Sequence, residues 1–262
     1  MKKILVGVAM LTLILGSCSK DNLDTPGTIL GMGNTSGALE VDAPFILPEG
    51  IAIVGDISGL DNSGAKSGDS KSLPLSCYGS GGKMIKLKLT LLNTSNRHKT
   101  IFFPKGLLWK CKEEGYQDAL LCQTTWCNVE ANSQRTILVD LYCINYGRDP
   151  SDHLSSYRIL GVSGSKTIWN LLRMVGWRKI NYEHWYNTSK GDKGTAIEPT
   201  YEAITERFQN IVWNLTNNGL DITAEDQAFI ESIPELASEE IPVVDDNSQF
   251  PEYFEEYVVT GK

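Results

Sequence analysis

Residues 83–91, with the sequence KMIKLKLTL, alternate apolar and polar side chains from Ile85 to Leu91. Ile85, Leu87 and Leu89 fall on one side of an extended chain, and the polar residues between them fall on the other. A period of two with one apolar side is typical of a sheet that faces a core on one side and water on the other. The pattern therefore predicts a half-buried strand of an antiparallel sheet.

A second strand is predicted at residues 136–143, with the sequence TILVDLYC. Ile137, Val139 and Leu141 share one side of this strand, and Asp140 is an acidic residue in its middle. Solvent exposure is the simpler expectation for that carboxylate. Other short apolar runs lie nearby between turn residues, and closely spaced strands of this kind are typical of a β-sandwich.

Helical patterns replace strand patterns after the predicted strands. Residues 165–177 and 201–217 carry apolar residues at the spacing of amphipathic helices, and Thr223 precedes a third helical stretch. We therefore predict an α+β fold. An antiparallel immunoglobulin-like β-sandwich over residues 38–163 is followed by two or three C-terminal helices in a region, residues 164–262, that ends in an acidic tail.

The N-terminal residues have the layout of an export signal. Two lysines precede an apolar run over residues 4–15, which is too short to span a bilayer as a mature helix. The run ends in the sequence LGSC at residues 15–18, and this ending resembles the lipobox of bacterial lipoproteins. The resemblance implies that residues 1–17 are a lipoprotein signal peptide and that Cys18 is acylated, which anchors the chain to a membrane.

The residues that follow Cys18 are polar and rich in glycine, so we predict that residues 18–37 are a lipid-anchored flexible tether. Their Ser-Lys-Asp start resembles Bacteroidetes-type lipoproteins, in some of which acidic residues after the cysteine direct export to the cell surface. Asn22 and Leu23 interrupt the acidic run here. The resemblance implies an outer-membrane lipoprotein, and it leaves a periplasmic and a surface-exposed placement open.

Two short sequences within the predicted sandwich resemble those of a second group of proteins. The sequences FPKGL at residues 103–107 and LYCIN at residues 141–145 resemble an uncharacterised group of secreted Bacteroidetes lipoproteins with a sandwich core. The resemblance implies a fold and a location, and it implies no activity.

Five cysteines accompany Cys18 in the sequence. They are Cys77, Cys111, Cys122, Cys127 and Cys143. Because exported proteins can form disulfides, and because Cys111 with Cys122 and Cys127 with Cys143 could lie opposite each other, these four are candidate disulfide partners. The alternative is that all five are small buried apolar residues. No C-x₂-C pair and no nearby histidine accompany them, so we predict no metal site.

The sequence contains no candidate catalytic residue and no cofactor motif. The chain lacks a G-x-S-x-G elbow and a phosphate-binding glycine motif. Cys143 and His153 are a cysteine and a histidine close in sequence, but a buried strand cysteine and an exposed loop histidine explain them more simply. The formal net charge of −8 argues against nucleic acid as a partner. We therefore assign no catalytic residue and no cofactor.

The densest aromatic stretch supplies the candidate binding residues Tyr182, His184, Trp185 and Tyr186, which lie between predicted helices. Exposed aromatic rings would form a stacking platform for sugars or a contact surface for a protein, whereas buried rings would close a core. The sequence thus favours a membrane-anchored extracytoplasmic lipoprotein that acts as a non-catalytic binding module for a glycan or a protein at the cell envelope. An envelope hydrolase acting on polysaccharide or peptidoglycan, and a structural subunit of an outer-membrane assembly, are the alternatives.

Overall fold

The computed structural model describes residues 24–61, 75–81, 84–186 and 199–241. The predicted signal peptide, the predicted lipidation site at Cys18 and the part of the predicted acidic tail beyond residue 241 lie outside the described residues. No helix within the four described ranges is both long enough and apolar enough to cross a membrane.

The described chain forms strands first and helices second. The strands are β1 (Val41–Pro44), β2 (Ile51–Ile53), β3 (Ile57–Gly59), β4 (Cys77–Gly79), β5 (Ile85–Asn93), β6 (Lys99–Phe103), β7 (Leu107–Cys111), β8 (Ala119–Leu120), β9 (Thr125–Val129), β10 (Ser133–Cys143) and β11 (Ser156–Ser163). The helices are α1 (Lys166–Val175), α2 (Glu183–Tyr186), α3 (Tyr201–Trp213) and α4 (Ala224–Ser232). A π-helical turn, Asn214–Asn218, extends α3, and a 3₁₀ turn, Ser238–Glu240, follows α4.

Six of the strands close into a barrel in the order β5, β3, β11, β7, β8 and β10. Every pairing around this ring is antiparallel, and β10 completes it by pairing with β5 over residues 133–141 and 85–93. The predicted α+β class with antiparallel strands followed by helices is confirmed. The immunoglobulin-like sandwich is replaced by this barrel, because the long β5–β10 ladder joins two sheet edges that a sandwich leaves apart.

Four further pairings lie outside the ring. Strand β2 pairs with β5 and β1 pairs with β11, both antiparallel, while β4 lies parallel to β10. Strands β6 and β9 form a separate two-stranded sheet.

The first hydrophobic core lies on the side of the strands that the alternation predicts. All four apolar residues of β5 on that side are fully buried, and they meet the matching side of β10. The strands of the two-stranded sheet add further apolar side chains. The members of this core include Ile85, Leu87, Leu89, Leu91, Ile101, Phe103, Cys127, Val129, Ile137, Val139, Leu141 and Cys143. We call it the barrel core.

A second hydrophobic core forms where the helices cover the other side of β7, β8 and β10. The strands contribute Leu108, Leu120, Tyr142 and Ile144, and the helices contribute Ile168, Leu171, Leu172, Ile204, Phe208, Ile211 and Ile230. The predicted caps are present: the side chains of Ser165 and Thr223 accept hydrogen bonds from Ile168 N–H and Asp226 N–H. These caps fix the starts of α1 and α4. We call this second cluster the helical core.

Residues 24–37 pack on the fold, although the sequence predicts them as part of a flexible tether. Ile29 and Met32 are 2% and 1% exposed in the helical core. Gly33 N–H donates to the Ile144 carbonyl oxygen, and a Cβ at Gly33 would lie 2.0 Å from the Thr216 carbonyl oxygen. Two apolar side chains suffice to dock a polar segment here because the helices offer them an apolar surface.

Candidate functional site

Four buried oxygen atoms at one place in the fold form no hydrogen bond of good geometry among the described residues, although one of them lies 3.5 Å from the Lys86 ammonium and the hydroxyls of Ser80 and Tyr142 lie beside each other. The four atoms are Ser80 Oγ, Asp140 Oδ1, Tyr142 Oη and Tyr201 Oη, and all four residues are at most 6% exposed. Buried polar groups are hydrogen-bonded in the great majority of cases, so a group of exceptions marks a place that needs an explanation. We call these four residues the polar cluster.

The backbone brings the polar cluster together. Asp140 and Tyr142 are two residues apart on β10 and therefore point to the same side. Strand β4 lies against them so closely that a Cβ at Gly79 would lie 2.5 Å from the Asp140 carbonyl oxygen, and one at Gly81 would lie 2.2 Å from the Leu141 carbonyl oxygen. Ser80, between these two glycines, is thereby held beside Asp140 and Tyr142.

Helix α3 supplies the fourth member of the cluster. The helix lies over β10, where the rings of Phe208 and Tyr142 are 6.0 Å apart and Gln209 hydrogen-bonds the backbone of Cys143. Tyr201 is the first residue of α3, two turns before Phe208, and its side chain falls on the same side of the helix.

Asp140 is buried rather than exposed, which corrects the expectation from the sequence. It stands opposite Lys86 in the β5–β10 ladder, with 3.5 Å between Oδ1 and Nζ. Burial raises the pKa of Asp140 to about 6, although the nearby Lys86 ammonium opposes that shift. Burial acts to lower the pKa of Lys86, but the charge and hydrogen bond of Asp140, together with smaller contributions from Cys77 and Tyr182, outweigh it and the pKa is raised. The two groups form an ion pair at the margin of the polar cluster.

Glu183 is a second enclosed carboxyl group in this region, and sequence reasoning missed it. Its Oε2 accepts a hydrogen bond from Gly79 N–H at 2.8 Å, and its Oε1 accepts from Thr125 Oγ1 at 2.6 Å and from Asn181 Nδ2 at 3.1 Å. Burial raises the pKa of Glu183 to about 7 even though these three donors favour the charged form. The carboxyl group ties α2 to β4 and β9.

Three tyrosine rings pack together beside these carboxyl groups. The ring centroids of Tyr182 and Tyr186 are 4.6 Å apart, and both rings meet Tyr201 edge-on at 5.7 and 5.6 Å. Tyr182 N–H donates to the Gly79 carbonyl oxygen, which places the rings next to β4. Tyr186 is 50% exposed, and its hydroxyl donates to Glu202 at 2.9 Å. We call these three residues the tyrosine cluster.

The other two predicted binding residues are less accessible. Trp185 is half-buried and its indole N–H donates to the Lys179 carbonyl oxygen at 2.7 Å. Both ring nitrogens of His184 are buried without a hydrogen-bond partner in the described part of the chain. Burial lowers the pKa of His184 to about 4. Residues 182–185 are half-buried and Tyr186 is exposed, so these residues do not form a flat exposed platform.

The described residues contain no disulfide, so Cys111, Cys122, Cys127 and Cys143 do not form the predicted pairs, and these four and Cys77 are buried. Cys111 belongs to the barrel core and Cys122 to the helical core, so the two side chains lie on opposite sides of the sheet. Cys127 and Cys143 both lie in the barrel core as thiols. Burial raises the pKa of all five thiols, and they behave as small apolar residues.

The structure also separates the cysteine and histidine that are close in sequence. Cys143 is fully buried in the barrel core, where its Sγ accepts from the Trp213 indole N–H at 3.2 Å. His153 is exposed and lies 3.3 Å from Asp61. Within the described ranges, no group of three or more histidine, cysteine, aspartate or glutamate side chains could hold a metal ion.

Comparison with known proteins finds no family model, no curated protein and no solved structure that matches the chain.

Proposed function

We propose that the protein is a membrane-anchored extracytoplasmic lipoprotein whose folded part is a non-catalytic module that binds a glycan at the cell envelope. The anchor is the lipid on Cys18, supported by the resemblance of residues 15–18 to a lipobox. The placement at the outer membrane, facing the periplasm or the surface, rests on the same resemblance.

The observation that carries the glycan proposal is the meeting of two clusters at Tyr201. Its ring belongs to the tyrosine cluster, and its hydroxyl belongs to the polar cluster. Sugars offer apolar ring faces that stack on aromatic rings, and they carry hydroxyl groups that donate and accept hydrogen bonds. An unpaired buried polar group costs about 1–3 kcal/mol, so a hydroxylated ligand that reached the Tyr201 hydroxyl would recover part of that cost.

The approach of such a ligand would involve Tyr186, because that ring is the exposed member of the tyrosine cluster. The experiment is a glycan array followed by calorimetry on the full chain, with Tyr186→Ala as the test variant. Tyr146→Ala is the matched control, because Tyr146 is 59% exposed in a separate aromatic pair with Trp213. We expect Tyr186→Ala to weaken binding by about tenfold or more and Tyr146→Ala to leave it unchanged. Equal binding by both variants would contradict the proposal.

The anchor is tested separately. Expression of the full chain in a bacterial host with labelled palmitate should place label on the wild-type protein and in the membrane fraction. Cys18→Ala should lose both. A membrane-bound, labelled Cys18→Ala protein would contradict lipidation at this cysteine.

One observation favours hydrolysis as a second candidate function. Asp140 and Glu183 both have a raised pKa, about 6 and about 7, and carboxyl groups that titrate near neutrality can act as acids or bases. Gly79 joins them, since it pairs with Asp140 and donates to Glu183. Against this role, three donors already occupy the Glu183 oxygens. Release of sugar fragments from polysaccharide or peptidoglycan, abolished by Asp140→Asn, would favour the hydrolase.

A further inference from the structure

An apolar groove with a volume of about 460 Å³ opens on the side of the barrel formed by β11. Strand β11 pairs with β3 at Ser156 and Tyr157, and its far end pairs with β1. The groove lies where β11 passes from one partner to the other. Its volume is within the range of small-molecule sites, which is about 300–1,000 Å³.

The wall of the groove is continuous with the barrel core. Ile57 and Tyr157 line the groove and are 4% and 1% exposed. Phe45, on another wall, stacks on the buried ring of Phe103 with 5.7 Å between the centroids. Ile46 is 60% exposed at the mouth. A ligand that removes an apolar surface of this kind from water is stabilised there by the hydrophobic effect.

The polar side chains on the rim are two cations and one anion. Lys112 and Asp56 neutralise each other, with 2.7 Å between Nζ and Oδ1. Arg158 is exposed and forms no ion pair within the described ranges. It stands opposite Lys110 in the β7–β11 ladder. Asp118 already pairs with Lys110, with 2.7 Å between Oδ2 and Nζ. Arg158 is thus the rim cation left without an anionic partner in the described chain, and an anion beside it would be favoured.

The size, the apolar wall and the unpaired cation together define a class of ligand. A guanidinium group matches a carboxylate in a bidentate arrangement, and a single alkyl chain matches an apolar groove of this volume. A bulky molecule does not match the groove, and a cationic molecule does not match the guanidinium group. We propose that this groove binds an anionic amphiphile of fatty-acid size, with its alkyl chain on the apolar wall and its carboxylate at Arg158.

The test is calorimetric titration of the full chain with decanoate below its micellar concentration. The chain carries Cys18→Ser, so that a lipid on its own N-terminus cannot compete for the groove. Decanol and decylammonium are titrated in parallel, because they keep the alkyl chain and remove or reverse the charge. We expect saturable binding of one decanoate per chain and weaker binding of the other two compounds. Decylammonium that binds as tightly as decanoate, or an absence of saturable decanoate binding, would overturn the proposal.

Two pairs of variants place the ligand in the groove. Arg158→Glu and Ile46→Glu each put a negative charge at its mouth, and each should weaken decanoate binding by about tenfold or more. Arg173→Glu and Leu154→Glu are the matched controls, since both side chains are exposed and neither lines the groove. They should bind decanoate as the parent chain does. Because all four side chains are exposed, circular dichroism should show an unchanged fold, and equal binding by all four variants would overturn the proposal.

Discussion

Asp140 and Lys86 stand directly opposite each other in the β5–β10 ladder, yet the Asp140 side chain is 1% exposed and the Lys86 side chain is 29% exposed. The two partners of the ion pair therefore differ in their access to water when the other partner is removed. An uncompensated lysine can turn to water, whereas an uncompensated carboxylate stays buried.

The first prediction follows from this asymmetry. Lys86→Met should lower the free energy of unfolding by about 2–3 kcal/mol at pH 8, and Asp140→Asn should lower it by about 1 kcal/mol or less. Urea denaturation measures both. Lys88→Met is the control, because Lys88 is exposed on the same strand and on the same side. Without the Lys86 charge, the pKa of Asp140 should rise further, so the cost of Lys86→Met should shrink at pH 5. An equal cost for both variants at pH 8 would contradict the asymmetry.

The second prediction concerns Glu183, whose pKa in the folded protein is about 7 against an ordinary value of 4.5. The folded state binds this proton more tightly than the unfolded state, so stability falls as the pH rises from the ordinary value towards the folded one. Glu183→Gln removes this dependence. The difference between the free energies of unfolding of the variant and of the wild type should therefore increase by roughly 3 kcal/mol, in favour of the variant, from about pH 4 to pH 8. A constant difference across this range would show that Glu183 ionises normally.

The third prediction concerns His184, whose contribution to stability increases with pH, whereas that of Glu183 decreases. Burial lowers its pKa to about 4 from an ordinary 6.5, so its contribution to stability is complete above the ordinary value and is lost as the pH falls towards 4. His184→Phe should remove that loss. Glu183 and Asp140, whose pKa values are raised, lose stability as the pH rises through this range, and His184 opposes them. The stability of His184→Phe should therefore fall more steeply than that of the wild type between about pH 4.5 and 6.5. His153→Phe, at an exposed site, should follow the wild type.

The predictions that succeeded from sequence depend on short-range patterns. The apolar alternation of β5 and β10 identifies the sides that line the barrel core, and Ser165 and Thr223 cap helices where the sequence places them. Each of these features is decided by residues within a few positions of one another.

The features that the sequence does not reveal depend on contacts between distant segments. Asp140 looks like a solvated residue within its own strand, and it becomes buried because β4 and α3 cover that side of β10. Tyr201 joins Tyr182 and Tyr186 across a gap in sequence that no local pattern spans. Closure of the barrel likewise depends on the pairing of β5 with β10, whose residues 93 and 133 are separated by four other strands. Without these long-range pairings, alternation alone fits a sandwich and a barrel equally well.

The fourth prediction is that the five described cysteines are unreactive thiols in the folded protein. In a chain with Cys18→Ser, a thiol reagent should modify none of them before unfolding and all five in urea, because burial keeps each one protonated and inaccessible. Leu154→Cys is the control, since residue 154 is 65% exposed and a thiol there should react at once. Fewer than five reactive thiols in urea without a reductant would indicate a disulfide and would contradict the structure.

The fifth prediction tests the docking of residues 24–37. Asp24 lies at the start of α1, where its carboxylate accepts hydrogen bonds from Ser165 Oγ at 2.6 Å and from Lys166 N–H. Its own carbonyl oxygen accepts from Thr167 Oγ1 at 2.9 Å. A carboxylate at a helix N-terminus is stabilised both by the free N–H groups and by the helix dipole.

Asp24→Ala should therefore lower the free energy of unfolding by about 1–2 kcal/mol. Asp221→Ala, at an exposed position outside these contacts, should change it little. Because Asp24, Ile29 and Met32 hold the same segment, Asp24→Ala should also increase hydrogen exchange at Met32 N–H, which donates to the Ile29 carbonyl oxygen. Unchanged stability and unchanged exchange in Asp24→Ala would mean that the segment behaves as the tether predicted from its polar composition.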